Sequence, residues 1–316
     1  MKRGGRGVTR DANVHAPFTL ADLRAAMAGL RGAVSFQAPL RDYTSFKIGG
    51  PADVLVEPAD IEDVCLVVQQ ARARRIPFFV LGGTNLLIRD GGIRGIVISL
   101  VRLRGIKEEP EFVLYAEGGV GMPTVIGYAV RRSLAGLEWA AGIPGTVAGC
   151  VVMNAGTKLG EMKNSVKAVR MVNMKGLVVD VSAAQIGFEY RRALLPRGIV
   201  VGVWVQLQQG IRSGIERVVK DYLHYRRDTQ PLALPSAGCV FKNPPSDSAG
   251  RLIEEAGLKG TRVGDAEVSM KHANFIVNRG QARAADVMAL IGKVRSAIRR
   301  RTGLRLDLEL KIVGKT

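Results

Sequence analysis

Three short stretches of the chain present a reactive side chain in a setting that invites chemistry. Phe188-Glu189-Tyr190-Arg191 sets an arginine in an otherwise apolar region, where its guanidinium wants a carboxylate or phosphate partner. An arginine whose stem covers a strand edge would leave the same trace. Ser236-Ala237-Gly238-Cys239-Val240-Phe241-Lys242-Asn243-Pro244 puts a weak acid, the Cys239 thiol, directly after a glycine that lets backbone approach a ligand. A buried core cysteine reads the same way. Leu306 to Gly314 alternates leucines with Asp307, Glu309 and Lys311, so the charged groups share one face of an extended segment. A solvated strand face is the ordinary cause of that pattern. The chemistry such groups offer is anion binding and proton transfer.

Glycines mark where a large ligand could meet backbone. Gly136 to Gly156 carries Gly136, Gly142, Gly145, Gly149 and Gly156 and almost no charge. It is too glycine-rich for an ordinary core helix and too apolar for a solvated loop. Close approach to a ligand satisfies it, and so does a tight internal turn packed on a sheet. Pro144 sits where a first helical turn could begin, with the Gly145 and Thr146 amides free to face a phosphate or a flavin edge. Val80 to Ile88 reads as a strand end followed by Gly82-Gly83-Thr84-Asn85, a phosphate-cradling turn. It is not the dinucleotide fingerprint of a Rossmann fold, because the third glycine is missing and no helix pattern follows. A third stretch, Tyr43 to Ala52, carries Gly49 and Gly50.

The elements that would carry these groups alternate between strand and helix. Residues 1–18 read as a flexible tail and Leu20 to Leu30 as a short amphipathic helix. Ala33 to Phe36, Ala52 to Val56, Phe78 to Leu81, Ile96 to Leu100 and Phe112 to Glu117 read as strands. Ile61 to Arg75 reads as a helix that Asp60 can cap. Strands at Val166 to Val172, Leu177 to Val181 and Ile199 to Gln208 and a helix at Ile211 to Arg227 follow. The remainder reads as strand Cys239 to Lys242, helix Ser248 to Ala256, strand Asn274 to Val277, helix Ala282 to Arg301 and a final strand Leu304 to Val313. Such alternation predicts an α/β or α+β chain, and 316 residues suffice for about two domains.

Composition narrows the partners. Lys plus Arg number 46 against 28 Asp plus Glu, a net charge of +18, which favours nucleic acid, anionic lipid or phosphorylated small molecules. The basic residues are scattered, and aromatics are only 5% of the chain, a poor supply for stacking on single strands. No apolar run approaches the ~20 residues of a membrane helix. Met1-Lys2-Arg3-Gly4-Gly5-Arg6 is basic but leads into no apolar core, so a signal peptide is not expected. Cys65, Cys150 and Cys239 are odd in number and widely spaced, which fits a reducing cytoplasm. No Cys/His cluster has metal-ligand spacing.

In their order along the chain, the Tyr43–Ala52, Val80–Ile88 and Gly136–Gly156 stretches resemble the FAD-binding domain of the vanillyl-alcohol-oxidase type. With the Arg191 and Cys239 motifs, Gly257-Leu258-Lys259-Gly260, Ser269 to Asn278 and the Leu306–Gly314 ending, the chain from Ala33 to Gly314 is similar to the UDP-N-acetylenolpyruvoylglucosamine reductase family, in its shorter type II branch. The resemblance implies an α+β fold. A tail and short helix at 1–31 would precede a two-part FAD-binding domain at 32–209, divided near residue 100. A smaller α/β substrate-binding domain would occupy 210–316. It implies a cytoplasmic monomer without nucleic-acid or membrane partners. NADPH would reduce bound FAD and leave. Hydride would then pass to the vinyl carbon β to the carboxylate of UDP-N-acetylglucosamine enolpyruvate, giving UDP-N-acetylmuramate for peptidoglycan precursors.

The roles follow position by position. The family's arginine acts on the substrate carboxylate and is matched by Arg191; its catalytic glutamate is matched by Glu309. Its pattern G-S-x-F-K-N-P uses a serine as proton donor, where this chain has Cys239. A free thiol loses its proton near ~8.5, so an alkaline limb of activity is expected. Lys242 would lower that position and burial would raise it. Contacts to FAD fall on Tyr43, Gly49, Gly50, Gly82, Gly83, Thr84, Asn85, Leu86, Gly118, Gly142, Ile143, Pro144, Gly145, Thr146, Gly149, Asn154 and Ala155. Contacts to substrate fall on Tyr190, Gln230, Lys242, Asn243, His272 and Asn274, with no catalytic role for His272. No metal is expected. A related FAD oxidase of an alcohol or sugar is the competing enzyme, but it leaves the G-C-V-F-K-N-P motif without a purpose. A basic nucleic-acid binder is the competing non-enzyme, separated by whether the purified protein is yellow.

Overall fold

The structure is a computed structural model that describes residues 18–82, 84–245 and 247–316. All but Phe18 of the expected tail, and Gly83, lie outside the described residues. Thr19 opens α1 (Leu20–Ala26) in a capping box with Asp22. Leu23 and Ala26 of α1 are buried against the first sheet.

That sheet uses β1 (Ala33–Pro39), β2 (Pro51–Glu57), β3 (Phe78–Leu81) and β5 (Ile93–Ser99), in the order β1-β2-β5-β3; β4 (Leu86–Ile88) lies outside it. β2 and β3 both pair parallel with β5, so a crossover is needed. The helix α2 (Ile61–Ala73) supplies it, and the Asp60 side chain caps its Asp63 amide. Asp63 is 2% exposed and accepts hydrogen bonds from the Arg31, Gly32 and Ala59 amides, which ties the approach to β1 onto the start of α2.

The second unit contains β6 (Ile106–Glu109), β7 (Val113–Glu117), α3 (Met122–Arg131), β8 (Leu134–Ala135) and α4 (Val147–Val152). It continues with β9 (Val166–Asn173), β10 (Val178–Ser182), the hairpin β11 (Gly187–Glu189) and β12 (Arg192–Leu194), β13 (Gly198–Gln206) and β14 (Gln208–Gln209). Its antiparallel sheet runs β10-β9-β13-β7-β6. The helix α3 was not anticipated; Pro123 in its first turn is the signal that marks it. The long α5 (Arg212–Thr229) packs on α3, β8 and the 3-10 turn Glu138–Ala140.

The third unit has β15 (Ser236–Cys239), α6 (Ala249–Glu255), β16 (Arg262–Val263), β17 (Ala266–Val268), β18 (Phe275–Asn278) and α7 (Ala284–Thr302). Its strands form an antiparallel sheet in the order β15-β18-β17-β16, with α6 and α7 burying their apolar faces against it. The first and third units are joined through their cores. Phe46 and Ile48, from the loop before β2, and Leu87 of β4 are buried in the third core, and Asn278 Nδ2 donates to the Phe46 carbonyl at 3.2 Å. The whole is α+β, as expected.

Two strand expectations need correction. The strand expected at Cys239 to Lys242 ends at Cys239, because residues 240–242 leave β18 to meet the C-terminal segment. The final strand is not continuous from Leu304 to Val313. Residues 307–309 run beside 240–242, where the Lys242 amide donates to the Asp307 carbonyl and the Glu309 amide to the Val240 carbonyl. Only β19 (Lys311–Val313) is a strand, and it pairs parallel with β4. Among the described residues no helix is long and apolar enough to cross a membrane.

Candidate active site

The chain changes partners at Glu309, and this puts the residue on the seam between the first and third units. Its amide bonds to Val240 at 2.9 Å, while its carbonyl accepts from Asn85 Nδ2 at 3.0 Å. The side chain points into a cavity of about 730 Å³, within the range of small-molecule sites. Burial pushes the Glu309 carboxyl above the ordinary carboxylate range, and the nearby Arg191 guanidinium offsets this only in part.

Arg191 arrives from the other side. It is the second residue of the two-residue turn Tyr190-Arg191 that joins β11 to β12. Its φ is 59°, a left-handed conformation that costs a non-glycine residue on the order of 1–2 kcal/mol. Such strain persists only where the surroundings enforce it. Its Nε lies 3.2 Å from Glu309 Oε1, with side chains 22% and 16% exposed. That Nε–H is buried and is not aligned on any acceptor, so the pair is a charge contact that leaves hydrogen-bonding capacity unused.

Cys239 completes the group. Ser236 stands opposite Val277 and Cys239 opposite Phe275, so β15 carries one extra residue. Gly238, at φ 74°, sits in this bulge and re-aims the following side chain into the cavity. A Cβ on Gly238 would meet nothing within 4 Å, so glycine is needed there for its backbone angle and not for space. Burial pushes the Cys239 thiol up to about 12; Glu309 adds to the rise, while Arg191 and Arg226 oppose it. The alkaline limb expected from a free thiol therefore moves beyond ordinary assay conditions.

The remaining wall belongs to the glycine stretches. Gly82, Thr84, Asn85, Ile143, Pro144, Gly149 and Ala155 line the cavity. A Cβ on Gly82 would lie 3.9 Å from the Cα of Gly149, so bare backbone from the end of β3 faces bare backbone from α4. The helix starts one turn later than the sequence suggested, with Thr146 as its cap, its hydroxyl accepting from the Gly149 amide at 3.2 Å. Among the described residues the Gly145 and Thr146 amides donate to no backbone carbonyl. A flat wall of bare backbone at Gly82 and Gly149 suits a planar ring system, so these residues fit FAD. Of the expected substrate contacts, Tyr190, Gln230, Asn243 and His272 line the cavity. Burial holds the His272 imidazole below its usual pKa, and its Nδ1 accepts from the Asn274 amide.

Other expected contacts lie off the cavity wall. Gly50 packs on the Asp90 carbonyl, Gly49 on Ile88 and Gly118 on the Val200 carbonyl. Tyr43 is 41% exposed, and Leu86 is buried in β4. Gly145 backs onto Thr84 and Gly82, and the Thr146 hydroxyl donates to the Gly82 carbonyl. Asn274 is consumed by both backbone groups of Phe241, and Asn154 is 1% exposed with its amide bonded internally. Lys242 contributes its backbone to the 240–242 segment. Gly142 turns to Arg226, whose Cδ would lie 2.9 Å from a Cβ there.

Arg226 itself was not anticipated. It reaches the cavity from α5 together with Tyr222 and Tyr225; its Nη2 donates to Gln230 Oε1 at 2.9 Å, while its buried Nε has no acceptor. The signal was Tyr222, Tyr225 and Arg226 at helical spacing on an otherwise polar helix.

Known proteins are similar to this chain in sequence and in fold. Residues 230–313 match the family described as UDP-N-acetylenolpyruvoylglucosamine reductase, C-terminal domain, and residues 52–182 match that described as FAD binding domain. A UDP-N-acetylenolpyruvoylglucosamine reductase of Symbiobacterium thermophilum is 45% identical over 90% of this chain and 93% of its own. One from Heliobacterium modesticaldum is 44% identical over 90% and 92%. The crystal structure of the reductase from Thermus caldophilus, 38% identical, superposes with a TM-score of 0.77 over 90% of this chain and all of that one. With two family models that together cover most of its length and relatives at 44–45% identity over 90% of it, the chain belongs to the UDP-N-acetylenolpyruvoylglucosamine reductases.

Proposed function

We propose that this flavoenzyme reduces the enolpyruvyl group of UDP-N-acetylglucosamine enolpyruvate to the lactyl group of UDP-N-acetylmuramate, at the expense of NADPH. The observation that carries the reading is the convergence of Arg191, Cys239 and Glu309, from three distant stretches, on one cavity beside the glycine wall. The chemistry that bound FAD supplies is hydride transfer, in from NADPH and out to the double bond. The protein's own residues do the rest. Arg191 holds the carboxylate through its unused hydrogen-bonding capacity, and stabilises the charge that gathers there as hydride adds to the β carbon. Glu309, its carboxyl displaced toward the neutral form, donates a hydrogen bond to the same group. Cys239 passes its thiol proton to the α carbon, and the thiolate is reprotonated from solvent.

Arg226 offers a further cation for the anionic groups of either substrate. Cys65, Cys150 and Cys239 are all free, which is in keeping with a reducing cytoplasm. Sheet membership supports a flavin part at 32–209 and a substrate part at 210–316, with α5 packed on the flavin side. The test is NADPH oxidation by the yellow holoprotein with and without the enolpyruvyl sugar nucleotide. Turnover that needs that substrate and yields UDP-N-acetylmuramate is expected. Rapid oxidation of NADPH that ignores it would point instead to an oxidase.

A further inference from the structure

We propose that Asn154 is a positioning residue for Arg191, through the backbone of the hairpin that carries it. The proposal rests on the reading of Arg191 as the carboxylate-binding group. Asn154 follows the end of α4, at φ 41°, a left-handed conformation that asparagine tolerates better than most residues. It is 1% exposed, so its side chain cannot reach a bound ligand. Every hydrogen-bonding group of its amide is used. The Lys163 amide donates to its Oδ1 at 3.0 Å, which fixes the orientation of the side chain. Its Nδ2 then donates to Glu161 Oε2 at 2.7 Å and to the Glu189 carbonyl at 3.0 Å.

The last of these bonds carries the inference. Glu189 ends β11 and immediately precedes the Tyr190-Arg191 turn. Arg191 sits in a strained left-handed conformation that an isolated two-strand hairpin of three residues a side would not hold by itself. The Asn154 amide anchors the carbonyl at the base of that turn to the end of α4, the same short helix whose Gly149 forms the cavity wall. Beside the packing of Phe188 and Ala193 on the core, the Asn154 amide is thus the polar link between the cavity wall and the turn that carries Arg191.

The Asn154→Asp variant keeps size and shape but replaces the donating NH2 with a carboxylate oxygen that faces the Glu161 carboxylate and the Glu189 carbonyl. Adding Glu161→Gln restores a donor opposite the introduced carboxylate, and with it the contact to position 161, but nothing restores the bond to Glu189. Binding is read from flavin absorbance of the holoenzyme, titrated with UDP-N-acetylmuramate, which bears the carboxylate, and with UDP-N-acetylglucosamine, which lacks it. Wild type should prefer the carboxylate ligand. Asn154→Asp should cut that preference about tenfold or more while leaving UDP-N-acetylglucosamine affinity nearly unchanged. The double variant should recover thermal stability and not the preference. If Asn154→Asp does not fold, the double variant alone carries the test. Recovery of the preference along with stability, or equal weakening of both ligands, would show that Asn154 is structural only. A wild type without preference would overturn the role of Arg191, and the proposal with it.

Discussion

Replacing Cys239, the proton donor proposed above, should separate proton donation from the rest of the reaction. Cys239→Ala removes the donor and touches nothing that NADPH oxidation needs, so flavin reduction should proceed nearly unchanged. Flavin reoxidation by the enolpyruvyl substrate should fall about 10²–10⁴-fold, the usual share of a general acid, or about 3–5 kcal/mol of barrier. The pH profile tests the setting of the thiol. An acid donor works in its protonated form, so a raised pKa extends activity to higher pH. A thiol titrating near ~8.5 would be about 3% protonated at pH 10, a thirtyfold loss. Burial pushes Cys239 up to about 12, which leaves it almost fully protonated there. Wild type and Cys239→Ser should therefore share one profile up to about pH 10. Stopped-flow absorbance resolves the two half-reactions. A wild-type limb between pH 8 and 10 that vanishes in Cys239→Ser would refute the buried thiol, and equal slowing of both half-reactions by Cys239→Ala would refute the donor.

Arg191→Lys keeps the charge but loses the planar fork, and should cost on the order of 3 kcal/mol, about a hundredfold in steady-state turnover; near-normal turnover would return Arg191 to a structural role. Gly145→Val should purify with little flavin, because its φ of 97° strains any side chain and its Cβ would press on Thr84 at 3.4 Å; a full flavin complement in the folded variant would show that this turn does not shape the site. Asp63→Asn should lose about 2–4 kcal/mol in urea denaturation at pH 7, since a buried carboxylate that accepts from three backbone amides loses its charge. Although burial opposes it, those amides hold the Asp63 carboxyl below its usual range. Its contribution is complete above the unfolded value near ~4 and fades as pH falls through the lower folded value, so the two proteins should converge in acid; a gap that widened in acid would contradict the assignment.

Short-range signals were legible where one residue's need is specific. The β-rich run of β13 and the Asp60 cap of α2 announced their elements, whereas Gly238, read as close approach to a ligand, proves to be needed for its backbone angle. Glycine motifs were less discriminating. Gly82 and Gly149 leave room for a ligand, while Gly50 and Gly118 leave room for a carbonyl of the protein itself, and the missing Cβ is the same demand in both cases. Asn154 and Asn274 look like ligand contacts in sequence because polar side chains are rare in apolar surroundings. Their partners prove to include backbone groups up to 35 positions away, which no local pattern encodes. Arg226 was easy to miss for the opposite reason: on a helix full of charges, only its helical spacing with Tyr222 and Tyr225 sets it apart.

The pairing of β19 with β4 has a consequence for how the protein is made. The three residues of β4, all apolar and all buried when folded, wait for a partner that lies more than two hundred positions downstream. At 5–20 residues per second, a ribosome leaves that edge open for about 10–45 s. Phe46 waits as well, since the core that encloses it belongs to the third unit. A growing chain thus carries an unsatisfied apolar edge through most of its synthesis, the kind of surface that strands of other chains can pair with. Protection by chaperones should matter most in that interval. A chain cut short before β19 keeps that apolar edge uncovered.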